Sequence, residues 1–326
     1  MHNLVYCCIA NKAHKCATQL KPNSSTKVGL IKKVMPYKDL SRVHTLVSDL
    51  FKMPSSKEEW DQYKLSDEQV AFFKENGFIG GIKMLDENQI ETIRNEIAAL
   101  ADVQHEGHDL FYEFHSNEST DPSTILFHAL GAWRITPGLH DVLWNPRFLM
   151  AASQLLGNKP VRFWHDQLFC KPPKKGGVVA WHQDYSYWTR TKPVAHLTCW
   201  CGLDDSTKEN GCLQYVPGSQ HWGLLDKPDL AGNMMGIMDY LSDEQKKEFH
   251  PVPVETKAGE AIFHHSLTLH GSGENKSNNP RRAFVINVFA DGVVSDSDDV
   301  LLTGVPPIAK GEKMQGQFFP LLFEGN

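Results

Sequence analysis

The stretch that decides the fold is Gly177-Val-Val-Ala-Trp-His182-Gln-Asp184, an apolar run that ends in an imidazole and a carboxylate one residue apart. Its β-branched and aromatic residues, bounded by Gly, mark it as a strand. In an extended chain residues i and i+2 point to one side, so His182 and Asp184 converge on one point above a sheet. That supplies two ligands for a metal ion. Alone the tripeptide says little, because a chain with 16 His holds about one such pairing by chance.

The balance shifts with the later stretch His270-Gly-Ser272-Gly-Glu-Asn275-Lys-Ser277-Asn-Asn-Pro-Arg281-Arg282. A third ligand from His270 completes two imidazoles and one carboxylate on one face of an ion and leaves three positions open, the ligand set of non-haem Fe(II) oxygenases. Arg281 opens the next apolar strand and can return beside the strand of His270. Its fixed fork of donors suits a bidentate grip on a carboxylate. Arg282 competes for that task, but neighbours on a strand face opposite ways. His264 and His265 also adjoin this strand; neither has an Arg eleven residues on, so His270 is the preferred ligand.

Outward from these stretches, Val194 to Leu203, Gly259 to His265 and Ala283 to Ala290 read as strands, with turns at Asn210-Gly211 and Pro217-Gly218-Ser219. Ser66 to Gly77, Asp86 to Leu100 and Leu139 to Leu156, the last broken near Pro146, read as helices. Pro228 to His250 reads as a partly helical insertion. A helical first third followed by many short strands gives an α+β chain with a mainly β core. No repeat or linker divides it. The expected organisation is a basic N-terminal extension over 1–55 and one domain over 56–326, with a helical part to 160, a β core over 161–294 and a C-terminal segment over 295–326.

The chain has 326 residues, enough for a sizeable core, and a net charge of -6, which argues against nucleic acid as a partner. No apolar run is long enough to span a bilayer. Seven Cys without regular spacing imply no disulfide framework, and Cys199 and Cys201 are expected as buried small hydrophobes. The expected compartment is the cytoplasm. The first 38 residues carry seven Lys and no acid, so organellar targeting is an alternative.

In this order and spacing, His182-x-Asp184, His270 and Arg281 resemble the phytanoyl-CoA dioxygenase family of Fe(II)- and 2-oxoglutarate-dependent oxygenases. The likeness spans about Leu65 to Asp291 and includes the Leu65-Ser-Asp-Glu-Gln69 opening of the first long helix, Asn210-Gly-Cys-Leu-x-x-Val-Pro-Gly-Ser219, and the run from His270 to Ser277. It implies a double-stranded β-helix, a cupin-like jelly roll with flanking N-terminal helices. His182, Asp184 and His270 would then bind Fe(II). Arg281 would hold the distal carboxylate of 2-oxoglutarate, aided by Ser272, with Trp200 and Gln167 as further cosubstrate contacts.

The resemblance also implies the reaction: 2-oxoglutarate and dioxygen are consumed, succinate and CO2 are released, and an unactivated C–H of a small organic molecule is hydroxylated, desaturated or cyclised. A carboxylate at Asp184 favours oxygen transfer, since halogenating relatives carry a small residue there. Tyr185, Trp188 and Trp133 are candidates for lining the substrate mouth. The partner is thus a small molecule, and the protein a monomer or weak homo-oligomer. Rival readings are a non-catalytic metal-binding β-helix protein and an oxygenase acting on a protein side chain.

Overall fold

The helices begin where the sequence offers a side-chain cap. The structure is a computed structural model and describes residues 38–325. Ser56 caps α1 (Lys57–Asp61), and Ser66 and Gln69 form a reciprocal capping box on α2 (Asp67–Asn76). Gly77 closes α2 at φ +79°, where a Cβ would stand 2.3 Å from Gln220 Oε1, and β1 (Phe78–Lys83) follows. Asp86 and Gln89 repeat the capping box on α3 (Glu87–Leu100), which buries Ile90, Ile93, Ile97 and Leu100. After β2 (Glu113–His115) and β3 (Phe127–Leu130) come α4 (Pro137–Asp141) and α5 (Pro146–Leu155), each with Pro in its first turn. The expected break near Pro146 falls between these two.

The remainder is mostly strand: β4 (Val161–Lys171), β5 (Val179–His182), β6 (Thr191–Lys192), β7 (His196–Gly202) and β8 (Leu213–Tyr215). The expected insertion follows, with α6 (Asp243–Glu248) as its helix. β9 (Val252–Pro253), β10 (Glu260–His265), β11 (His270–Ser272), β12 (Arg281–Ala290), β13 (Val294–Ser295) and β14 (Leu321–Phe323) complete the chain.

Eight strands form one large antiparallel sheet in the order β1-β10-β7-β12-β4-β3-β2, with β14 also on β4; β5-β11-β8-β9 form a smaller one. The two face each other as a jelly roll and do not join into a closed barrel. Each strand of the large sheet presents alternate residues to its two sides. Leu168, Cys199, Phe263 and Ile286 pack in one cluster with Ile93, Leu139 and Phe148 of the helices. Trp200, Ile262 and Val285 pack in another with Val179, Leu213 and Tyr215 of the small sheet. Cys199 and Cys201 are free and buried, as their spacing implies.

The extension expected over 1–55 is shorter among the described residues. Leu40 and Phe51 are buried, the Asp39 carboxylate pairs with Arg134 at 2.6 Å, and the Val47 and Ser48 amides each donate to Asp141 at 2.8 Å. These anchors are local contacts to distant segments and leave no periodic trace in the sequence. The Lys-rich leader up to residue 37 lies outside the described residues. No described helix is long and apolar enough to cross a membrane.

Candidate metal centre and its cavity

The register of the small sheet brings the metal-binding candidates together. His270 of β11 stands directly opposite His182 of β5, so both rings project from one face. The chain stays extended through Gln183 (φ -109°, ψ 132°), which returns Asp184 to the side of His182 before a turn begins. One ligand atom from each of His182, Asp184 and His270 lies within 4.8 Å of the others.

The chemistry of these atoms fits a cation. His182 Nδ1 donates to the Ala180 carbonyl at 2.7 Å and His270 Nδ1 to the Thr268 carbonyl at 3.0 Å. A neutral ring so fixed turns its Nε2 lone pair inward. Burial, then the nearby His264 and His182, push His270 well below the ordinary histidine range, which keeps that ring neutral. The two Nε2 atoms lie 3.3 and 3.7 Å from Asp184 Oδ1. Burial opposes ionisation of Asp184, but the imidazoles around it outweigh that cost and hold its carboxyl well below the usual range. Acceptors that converge with no donor between them repel unless a cation sits among them.

The second part of the site lies deeper. Arg281 is buried; Nη1 donates to the Gly211 carbonyl at 2.6 Å and to Ser272 Oγ at 3.0 Å, while Nε has no partner. No carboxylate pairs with Arg281 among the described residues, whereas Arg282, on the opposite side of β12, grips Asp204 at 2.7 and 2.9 Å. Burial lowers the Arg281 guanidinium to about 10, so it stays charged at neutral pH. Trp200 lies against it, with 5.3 Å from Cζ to the ring centroid. A buried guanidinium with an orphan donor and no counterion fits an anion. Gly211 (φ +78°) is required here, because a Cβ would stand 2.2 Å from the Gly273 carbonyl oxygen.

Both parts open on a cavity of about 520 Å³ between the sheets. Gln167, Trp200, Ser272 and Trp188 line it. Tyr185 and Trp133 do not. Tyr185 packs into the helix-side cluster with its hydroxyl donating to the Thr191 carbonyl, and Trp133 is buried there with Nε1 donating to Tyr112 at 3.2 Å. Nearness in sequence to a ligand misled for Tyr185, which follows Asp184 and projects away from it.

Sequence reading assigned no role to four polar residues on the inner side of the large sheet, His264 having been set aside as a ligand. His264, Thr198, Asn287 and His165 occupy one register row across β10, β7, β12 and β4. His264 Nε2 and Thr198 Oγ1 lie 2.9 and 2.6 Å from Asp184 Oδ2, and Asn287 bridges Thr198 and His165. It also missed Lys171, fully buried, whose Nζ donates to Ser272 Oγ and to the Gly273 carbonyl, each at 2.6 Å. Burial and the neighbouring Arg281 push that ammonium well below its ordinary range. Strand alternation carried a signal: each of these polar residues stands at an inward position of its strand.

A double-stranded β-helix that gathers two imidazoles and one carboxylate at an inter-sheet cavity defines the class of proteins to which non-haem metal oxygenases belong. The family model described as "Phytanoyl-CoA dioxygenase (PhyH)" matches residues 73–283, and the chain belongs to that family. The peroxisomal phytanoyl-CoA dioxygenase of Bos taurus is 30% identical over 241 residues, spanning 70% of this chain and 69% of that one. A phytanoyl-CoA dioxygenase of Arabidopsis thaliana is 28% identical over 259 residues, with 70% and 90% covered. Among solved structures, the non-heme alpha ketoglutarate dependent epimerase SnoN from nogalamycin biosynthesis superposes with a TM-score of 0.65 at 24% identity, covering 78% of this chain and 97% of that one. EctD from S. alaskensis with 2-oxoglutarate and 5-hydroxyectoine gives 0.60 at 18%, covering 88% and 97%. At these identities the structural likenesses carry the fold.

Proposed function

We propose that the protein is an Fe(II)- and 2-oxoglutarate-dependent dioxygenase that oxidises an unactivated C–H bond of a small organic molecule and releases succinate and CO2. The observation that carries this reading is the convergence of two inward-facing imidazole nitrogens and a carboxylate beside a buried, unpaired guanidinium. His182, Asp184 and His270 hold the metal. Arg281 and Ser272 hold the distal carboxylate of 2-oxoglutarate, with Trp200 and Gln167 on its walls. When bound, iron supplies the redox chemistry by which dioxygen oxidises the cosubstrate and then the C–H bond.

The chain's own residues do the rest by positioning. The Ala180 and Thr268 carbonyls fix both imidazoles in the tautomer that presents Nε2. Lys171 and Arg281 converge on Ser272 Oγ and set where a carboxylate can rest. Around the remaining space stand Trp164, Phe169, Tyr187, Trp188, Leu301 and Leu302, which exclude water from the reacting bond. A cavity of about 520 Å³ holds the cosubstrate and a compact small molecule together. Cys199, Cys201 and Cys212 are buried thiols outside any disulfide, which supports a reducing compartment, the cytoplasm, and the protein is read as a monomer or weak homo-oligomer.

The test is incubation of the purified protein with Fe(II), 2-oxoglutarate and a metabolite extract, followed by mass spectrometry. The expected product has gained one oxygen or lost two hydrogens, with succinate formed in step. Succinate formation at the same rate in His182→Ala would overturn the site.

A further inference from the structure

His264 stood close enough to the metal-binding candidates to compete with His270 as a ligand. Its surroundings give it another task. His264 is buried, and its two ring nitrogens are both engaged: Nδ1 lies 3.0 Å from the Tyr215 hydroxyl and Nε2 lies 2.9 Å from Asp184 Oδ2. Tyr215 is itself fully buried, and its hydroxyl, facing Nδ1, donates to it. That leaves the His264 proton on Nε2, aimed at the carboxylate.

A second donor reaches the same oxygen. The Thr198 hydroxyl donates to Asp184 Oδ2 at 2.6 Å, and the register places Thr198 beside His264 on the neighbouring strand. Asp184 Oδ2 thus takes two hydrogen bonds from the large sheet. Oδ1 faces the Nε2 atoms of His182 and His270 at 3.3 and 3.7 Å.

We infer that His264, held by Tyr215 and assisted by Thr198, is a positioning residue of the metal site: it ties down one oxygen of Asp184 so that the carboxylate offers the metal a single oxygen. A carboxylate free to rotate could offer both and take a coordination position that the cosubstrate or dioxygen needs. Partners that orient a ligand typically contribute about 10- to 100-fold in metal affinity. The inference rests on His182, Asp184 and His270 being the ligands.

The experiment is calorimetric titration of the full-length apoprotein with Co(II), alongside visible spectra of the Co(II) form. It compares wild type with His264→Phe, His264→Gln, Tyr215→Phe and Thr198→Val. Phe keeps the ring and removes the donor; Gln keeps a donor that can reach Asp184. His264→Phe is expected to weaken Co(II) binding by about 10- to 100-fold and alter the Co(II) spectrum, His264→Gln to recover most of the loss, and the other two to give smaller losses. Melting temperatures of the apoproteins separate this from a general loss of structure.

Unchanged Co(II) affinity and spectrum in His264→Phe would overturn the inference. So would complete loss of binding without rescue by Gln, since His264 would then be a ligand itself. If His264→Phe does not fold, the other variants decide, and wild-type affinity in both Tyr215→Phe and Thr198→Val overturns it. Failure of the wild type to bind Co(II) would instead sink the metal site as a whole.

Discussion

The two sides of the large sheet are built by the same strands and differ in almost everything else. On the helix side, Leu168, Cys170, Cys199, Cys201, Phe263, Phe284 and Ile286 form an apolar layer against the helices. On the cavity side, one residue along in each strand, stand His165, Gln167, Lys171, Thr198, His264, Arg281 and Asn287. The first set stabilises the fold through burial. The second set opposes burial, and each member is tolerated because hydrogen bonds or a ligand satisfy it. Period-two alternation lets one sheet serve as both scaffold and site.

The largest separation of the two sides should come from His182→Ala on the small sheet facing the cavity. Metal binding is expected to vanish and succinate formation to fall to background, with a near-native apoprotein melting curve. A comparable loss of folding stability would show that the site also holds the sheets together.

On the helix side, Phe263→Ala removes a fully buried ring and is expected to cost about 3–5 kcal/mol in urea unfolding. Metal affinity of the folded fraction should stay at the wild-type value. A selective loss of metal binding would mean that the two sides are not independent.

Arg281→Ala comes next. Loss of hydrogen bonds to a charged group, at about 1.5–3 kcal/mol, should raise the 2-oxoglutarate KM by roughly 10- to 100-fold, with Co(II) affinity in the absence of cosubstrate unchanged. An unchanged KM would move the carboxylate site elsewhere.

The effect spread over the most groups is a pH dependence. Burial lowers His165 and His265 to about 4 and His196 to about 3. These groups are neutral when folded and must take up protons on unfolding below 6.5. Their stabilisation is present above pH 6.5 and is lost as pH falls toward 4. Asp166, raised by burial to about 6, works in the opposite sense, its contribution being present below 3.8 and lost as pH rises through 6. With three histidines against one carboxylate, the apoprotein should lose stability from pH 6.5 to 4. His165→Gln should flatten that limb by up to about 3 kcal/mol. A flat profile in the wild type would mean that these rings are solvated.

Much of this was legible in the sequence because it is local. Ser66 with Gln69, and Asp86 with Gln89, announce helix starts by a device of four residues. His182 and Asp184 sit one residue apart at the end of a strand and just beyond it, and Arg281 and Arg282 separate by strand alternation. What was not legible depends on register. His264 meets Asp184, and Lys171 meets Ser272, only because the strands pair in one register, and no spacing along the chain encodes which inward residues share a row. Tyr185 failed for the converse reason, since nearness in sequence to Asp184 did not bring it to the cavity, and Trp133 is buried in the helix-side cluster instead. The anchors between 39 and 51 reach Arg134 and Asp141 by paired hydrogen bonds to distant segments that no periodicity reveals.

The most direct test of the cavity side as one composite site is anaerobic calorimetry of 2-oxoglutarate binding with and without Fe(II). The expected result is one equivalent bound more tightly when Fe(II) is present, with the Fe(II) effect lost in His182→Ala and overall affinity lost in Arg281→Ala. Binding of equal strength with and without Fe(II), unaffected by either substitution, would contradict the assignment of metal and carboxylate to these residues.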